Sequence, residues 1–153
     1  MHKKKIDIIL VTLSSPLLIG LYEDSKLFET IVSQERSSDY LPILFKNLLE
    51  NYEISSITYS NGPGSFMAVK VAYIFLKSLS ILNNIPLYAV DAFYFNNNSP
   101  IKAIGKKYFV KIQGKIETKK FDEAIEQKFT LPQTLKKEDF CDITEPIYGI
   151  GAV

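Results

Sequence analysis

The stretch SNGPGSFMAVKV, residues 60–71, decides how this chain folds, because it joins a predicted strand to a long apolar helix. Residues 54–60 have the β-branched and aromatic composition of a strand, and a helix is predicted from about Ser65 to Leu82. Between them, glycine permits a positive φ and proline stiffens the backbone. The stretch therefore predicts a sharp turn from strand to helix.

The same turn has features of an anion site. Free backbone N–H groups and the helix dipole favour negative charge where a helix begins. However, the Gly-Lys-Ser/Thr ending of a phosphate-binding loop and the third glycine of a dinucleotide-binding loop are both missing, and Pro63 lacks an N–H. A purely structural turn and an anion cradle formed by Gly62, Pro63, Gly64 and Ser65 both stay open.

The helix predicted at 65–82 is unusually apolar. Its polar residues gather on one narrow strip that contains Lys70, Tyr73, Lys77 and Ser80. An ordinary surface helix has an apolar stripe about 100° wide, and this one is apolar over roughly twice that arc. The excess predicts either a second layer supplied by the same chain or a partner protein that covers the helix.

Three strands precede this unit and one follows it. Alternating apolar segments at 6–12, 17–22 and 27–33 predict an antiparallel meander. A helix is predicted over 38–52, with Ser38 as its N-cap, and a further strand over 87–90. Because crossovers are right-handed, the later strands should lie parallel to the first, in a mixed α/β sheet with packed helices.

The composition changes most sharply at Asn96–Pro100, which predicts a boundary between a lobe at 1–95 and a reduced lobe with a tail at 96–153. In the second lobe we predict a hairpin from 107–112 and 115–119. A short helix is expected at 122–127, followed by a terminal strand or tail.

Bulk composition excludes several functions. The 153 residues include 18 basic and 17 acidic ones, a net charge of +1 that gives no general attraction to nucleic acid. With Cys141 as the single cysteine and His2 as the single histidine, we expect no disulfide, no cysteine metal site and no Cys–His or Ser–His–Asp catalysis. The interrupted apolar run at 6–21 is too short to span a membrane, so we expect a cytoplasmic protein.

At this point the residues resemble a known family. Gly62-Pro63-Gly64-Ser65-Phe66 is similar to the G-P-G-S-F motif of the TsaB (YeaZ) proteins, and Ile85-Pro86-Leu87 to the family's I-P-L. Lys70 stands where the family has arginine, and Lys77 at the lysine of its A-K-G-L. The resemblance runs over residues 6–95 and more weakly to 120.

The resemblance implies an actin-like, Hsp70-like nucleotidase fold of the ribonuclease H-like type. It also implies a part in making N6-threonylcarbamoyladenosine at position 37 of tRNA. In that family TsaB is a non-catalytic scaffold without a cofactor, which forms a heterodimer with the transferase TsaD and is joined by the ATPase TsaE. A homodimer is implied when TsaD is absent, and tRNA is expected to be contacted only indirectly.

Two departures from the family pattern matter. Where TsaB proteins commonly have D-T-S in the first hairpin, this chain has Val11, Thr12 and Leu13. Since valine cannot hold Mg²⁺ through water, we expect no autonomous ATP hydrolysis. The family's H-S-E before the first helix is also missing, because residues 36–39 read RSSD.

The leading hypothesis is therefore a scaffold that binds a TsaD-like partner through the helices at 38–52 and 65–82. The alternatives are a small nucleotide- or anion-binding module at Gly62–Ser65 and a homodimer without TsaD. Small residues in the second helix allow close approach of another helix. The predicted partner contacts are Ile43, Ala68, Val69, Lys70, Ala72, Phe75, Leu76 and Lys77.

Overall fold

A computed structural model describes residues 2–147 and shows two β-sheets with two α-helices. The larger sheet has five strands in the order β3-β2-β1-β4-β5, and the smaller has three in the order β6-β7-β8. One continuous apolar core includes residues of both sheets. The predicted mixed α/β architecture is confirmed, and the division into a first lobe and a reduced second lobe stays a prediction.

The predicted meander forms the first half of the larger sheet. Strands β1 (Lys4–Val11), β2 (Leu17–Glu23) and β3 (Lys26–Ser33) pair in antiparallel fashion, with Leu10 opposite Ile19. The tight turn between β2 and β3 places Asp24 and Ser25 at positive φ. The chain then leaves β3 at the outer edge of the sheet.

Two helical crossovers complete this sheet. Helix α1 (Ser37–Asn51) leads to β4 (Tyr52–Ser60), which pairs in parallel with β1, and helix α2 (Phe66–Asn83) leads to β5 (Leu87–Val90), which pairs in parallel with β4. Because both crossovers run in the same direction, both helices lie on one face of the sheet.

The residues after β5 return to cover the opposite face. Strands β6 (Ile101–Lys102), β7 (Lys107–Ile112) and β8 (Lys115–Lys120) form the antiparallel second sheet, so the predicted hairpin is confirmed. The chain then crosses back, where the Tyr22 hydroxyl donates to the Pro132 carbonyl oxygen at 2.6 Å. Cys141 forms an isolated antiparallel β-bridge with Ala89 of β5.

Several local predictions are wrong. The segment 122–127 is not a helix, because the Ile125 N–H donates to the Tyr108 hydroxyl and a six-residue helix has little stability of its own. Helix α1 begins at Ser37 after an extended Arg36, so Ser38 is not its N-cap. Strand β6 and a 3₁₀ turn at Ala92–Phe95 were not predicted.

The predicted terminal strand or tail is partly accounted for. Thr134 bridges to Lys26, and the Leu135 N–H donates to the Ser25 carbonyl oxygen at 2.8 Å. Residues after Pro132, up to 147, therefore pack on the first lobe, and the end of the tail at 148–153 lies outside the described residues. The boundary between residues 95 and 96 stays a prediction.

Candidate functional site

The turn after β4 is tied into the rest of the chain by backbone hydrogen bonds. The Gly62 carbonyl oxygen accepts from the Ala92 N–H at 2.9 Å, and the Asn61 carbonyl oxygen accepts from the Ile147 N–H at 2.7 Å. The Asn61 side-chain amide also donates to the Glu145 carbonyl oxygen at 3.1 Å. Gly62, with φ +109°, takes the conformation that glycine was predicted to supply.

The two glycines of this turn allow close packing. A Cβ at Gly62 would lie 3.0 Å from the Ile147 carbonyl oxygen, and a Cβ at Gly64 would lie 3.0 Å from Leu13 Cδ1. A contact of 3.0 Å is tighter than nine in ten real Cβ contacts, so the neighbouring atoms would have to move in an interior that is already tightly packed. The turn therefore shapes the fold around the Leu13 side chain and the segment 145–147.

Apolar side chains fill the neighbouring tip of the first hairpin. Val11 and Leu13, at positions where the resembling family has polar residues, are both almost completely buried. Thr12 lies between them with its hydroxyl buried and without a hydrogen-bond partner among residues 2–147. These contacts favour the structural reading of the turn, although the anion-binding prediction for Gly62–Ser65 stays a prediction.

A cavity of about 640 Å³ lies between this turn and the second sheet. Its walls come from the first hairpin, the start of α2, strands β6 to β8 and the strand-free segment that follows. Ser65, which precedes α2, makes no side-chain cap, and the first turn of the helix has no acidic residue. The lining is mostly apolar, and its contributors include Leu13, Ser65, Phe66, Ile101, Phe109 and Phe129.

The inner face of α2 belongs to the core of this chain. Val69, Ala72 and Leu76 are buried against the sheet, with at most 3% of their surface exposed. The prediction that these three residues contact a partner is therefore corrected, because the core of this chain already covers them. Phe75 is half-buried and packs against Phe45 of α1, with ring centroids 5.8 Å apart.

The outer face of α2 carries an apolar stripe that the sequence prediction did not single out. Met67, Ile74 and Ile81 lie seven residues apart and are 63%, 54% and 70% exposed. The heptad spacing was the sequence signal that could have identified this stripe. Lys70 and Lys77 are exposed on the same helix, and Ala68 is half-buried.

Helix α1 contributes one exposed apolar side chain. Ile43 is 65% exposed on the face of α1 that also presents Asp39, Lys46 and Glu50 to solvent. Five of the eight predicted partner contacts, namely Ile43, Ala68, Lys70, Phe75 and Lys77, thus keep exposed or half-buried surface. Their contact with a partner stays a prediction.

By length and composition alone, α2 is also apolar enough to cross a membrane, which is weak evidence. No other helix in the described part of the chain passes that test. The buried contacts of Val69, Ala72 and Leu76 with the sheet instead place α2 in the folded domain.

A polar cluster joins the segment after β5 to β7 and to residues near 139. Lys111 of β7 pairs with Asp91 at 2.5 Å, and the Tyr94 hydroxyl donates to Asp139 at 2.8 Å. Burial and the hydrogen bond to Asp139 raise the pKa of Tyr94 to about 12, so this phenol is neutral at physiological pH. The cluster satisfies its own charges and has a structural role.

Comparisons with known proteins agree with this architecture. The family described as TsaD, tRNA N6-adenosine threonylcarbamoyltransferase, matches residues 32–99, less than half of the chain. YeaZ from Pseudomonas aeruginosa is similar in structure with a TM-score of 0.54 at 16% identity, over 81% of this chain and 72% of that one.

A second solved structure is described as an uncharacterized protein with similarity to peptidase YeaZ, from Pseudomonas aeruginosa. It gives a TM-score of 0.53 at 16% identity, over 81% of this chain and 71% of that one. No curated protein matches the sequence significantly.

Proposed function

This chain is YeaZ-like in its fold, and we propose that it is the non-catalytic subunit that supports a TsaD-like transferase in threonylcarbamoyladenosine modification of tRNA. The TsaD-family match over residues 32–99 supports a link to this modification. That segment contains α1, β4, α2 and β5, so it includes both helices that are proposed to meet the partner.

The observation that carries the proposal is the exposed stripe of Met67, Ile74 and Ile81. Together their exposed fractions amount to nearly two complete side chains. Burying a large aliphatic side chain contributes about 1.5–3 kcal/mol, so covering the stripe would contribute about 3–6 kcal/mol before the costs of association. An apolar stripe between lysines is typical of the centre of a protein interface with a charged rim.

The proposed role is that of a scaffold and not of an enzyme. Apolar Val11 and Leu13 occupy the hairpin tip where the related fold places the polar groups that serve phosphates or a metal. The TsaD-like partner would then supply the chemistry, with a TsaE-like ATPase as a further member of the complex and the cytoplasm as its location.

Light scattering after size-exclusion chromatography tests the proposal. The chain is measured alone and mixed with the TsaD-like protein of the same organism, and we expect a one-to-one heterodimer. Ile74→Arg should weaken this complex at least about tenfold, since a charge at the centre of an apolar interface loses its hydration.

Val32→Arg is the matched control, because Val32 is 57% exposed and lies on β3, at the opposite edge of the larger sheet from β5, the strand that follows α2. It should leave the heterodimer intact. Separate elution of the two wild-type proteins, or equal effects of the two arginine variants, would remove the basis of the proposal. If the chain alone forms a dimer that Ile74→Arg dissociates, the same stripe also serves self-association.

A further inference from the structure

The second sheet concentrates positive charge that the net charge of the chain conceals. Residues 101–120 contain seven lysines and one glutamate, a net charge of +6. The remaining residues contain 11 basic and 16 acidic side chains, a net charge of −5. The near-neutral total therefore hides a basic second sheet, whose charge is balanced by acidic residues elsewhere in the chain, and local charge decides where a polyanion can bind.

Most of these lysines have no acidic partner. Within residues 2–147, Lys111 is the only one of the seven that forms an ion pair. Lys107 and Lys120 are directly opposite each other on β7 and β8, an arrangement that destabilises a sheet by repulsion. A bound anion would relieve this repulsion.

Lysines without ion pairs surround the 640 Å³ cavity. Among the described residues, Lys102 and Lys107 are its only charged lining residues, and no carboxylate lines it. Lys120 faces Lys107 across the strands, two residues from Thr118, which also lines the cavity. Phe66, Phe109 and Phe129 contribute aromatic surface to the walls. The cavity thus has apolar, aromatic walls with Lys107 among its lining residues, while the Lys102 ammonium donates to the Gly105 carbonyl oxygen at 2.7 Å and lies over the Tyr108 ring.

We propose that this cavity, with Lys107 and Lys120 beside it, binds a single-stranded segment of RNA directly. An unstacked base has an apolar face that stacks on aromatic side chains, while its phosphates require cations nearby. Duplex RNA cannot place a base in such a cavity without unpairing it. The choice of RNA as the polyanion rests on the proposed function, and the contact itself rests on the cavity and its lysines.

Fluorescence anisotropy with a labelled RNA stem–loop tests the contact on the full chain. Lys107→Gln/Lys120→Gln should reduce the slope of log affinity against log salt by about 1.4, since each lost phosphate contact on a single strand accounts for about 0.7. At about 0.1 M salt the same loss corresponds to roughly 25-fold weaker binding.

Lys46→Gln/Lys115→Gln is the matched control, because it removes the same charge from an exposed site on α1 and from the far end of the second sheet. It should change the affinity less than about twofold. Phe66→Ala tests the stacking wall and should weaken binding at least about fivefold. Thermal unfolding confirms that each variant is folded, and Phe66→Leu, which removes the ring but keeps an apolar side chain and should weaken binding in the same way, replaces Phe66→Ala if that variant is not.

Three outcomes would overturn the inference. The first is that the two double lysine variants lose the same RNA affinity. The second is that a fully paired RNA duplex binds as tightly as the stem–loop. The third is that inorganic polyphosphate displaces the RNA while the cavity variants leave RNA affinity unchanged. The heterodimer is measured without RNA and this contact without the partner, so failure of one is distinguishable from failure of the other.

Discussion

Replacing Gly62 by alanine tests whether the turn after β4 is a structural junction. The residue has φ +109°, and its new Cβ would lie 3.0 Å from the Ile147 carbonyl oxygen. A side chain in such a backbone region costs about 1–3 kcal/mol, and displacing the backbone of the segment 145–147 adds about 1 kcal/mol. We expect Gly62→Ala to lower the free energy of unfolding by about 2–4 kcal/mol.

Gly105→Ala is the matched control, because Gly105 also has positive φ but a Cβ added there would have no atom within 4 Å. It gives the cost of a side chain at positive φ without a steric contact, and because φ +63° lies in the left-handed region that other residues can adopt, we expect a loss of about 1 kcal/mol. Urea unfolding followed by circular dichroism measures both, and with a slope of about 2 kcal/mol per molar the midpoints should differ by about 0.5–1.5 M. Equal midpoints would show that the turn is not packed on 145–147 and would refute this reasoning.

Three further predictions concern the packing of the lobes and of α2. Asp91→Asn should lower the free energy of unfolding by about 1–3 kcal/mol, because it leaves Lys111 half-buried without its counterion. The double variant Asp91→Asn/Lys111→Met should recover most of this lost stability. A double-mutant cycle that shows no coupling between the two residues would contradict the ion pair. Ala72→Arg should abolish the folded state, since Ala72 is completely buried; a native circular dichroism spectrum would refute this. The folded-state pKa of Tyr94 is raised from 10.0 to about 12, so the contribution of Tyr94 to stability is complete below pH 10 and falls as the pH rises towards 12. Tyr94→Phe should make this decline in the free energy of unfolding less steep, as measured by unfolding titrations between pH 9 and 12.

The sequence was sufficient for the larger sheet. Its strands alternate apolar and polar residues or form short apolar runs, and Gly62 and Pro63 mark the sharp turn before α2. Right-handed crossovers then fix the parallel pairing of β4 with β1. These features depend on local preferences, which neighbouring residues express before any long-range contact forms.

The exposed apolar stripe on α2 was only partly predictable. The sequence showed that α2 carries more apolar surface than one face needs, yet it could not say which arc the sheet covers. The structure buries Val69, Ala72 and Leu76 and leaves Met67, Ile74 and Ile81 exposed. Which residues are buried depends on how the helix is rotated about its axis against the sheet. Tertiary packing sets this rotation, and periodicity alone does not.

By itself, the sequence determined the order of strands and helices, the turn chemistry at Gly62 and the excess of apolar residues in α2. Only the tertiary structure decided that the segment 130–147 returns to the first lobe, and that Lys107 and Lys120 meet beside an aromatic cavity. The physical reason is sequence separation. Contacts between distant segments depend on which surfaces remain uncovered once the local elements have formed. Local propensity does not predict these contacts.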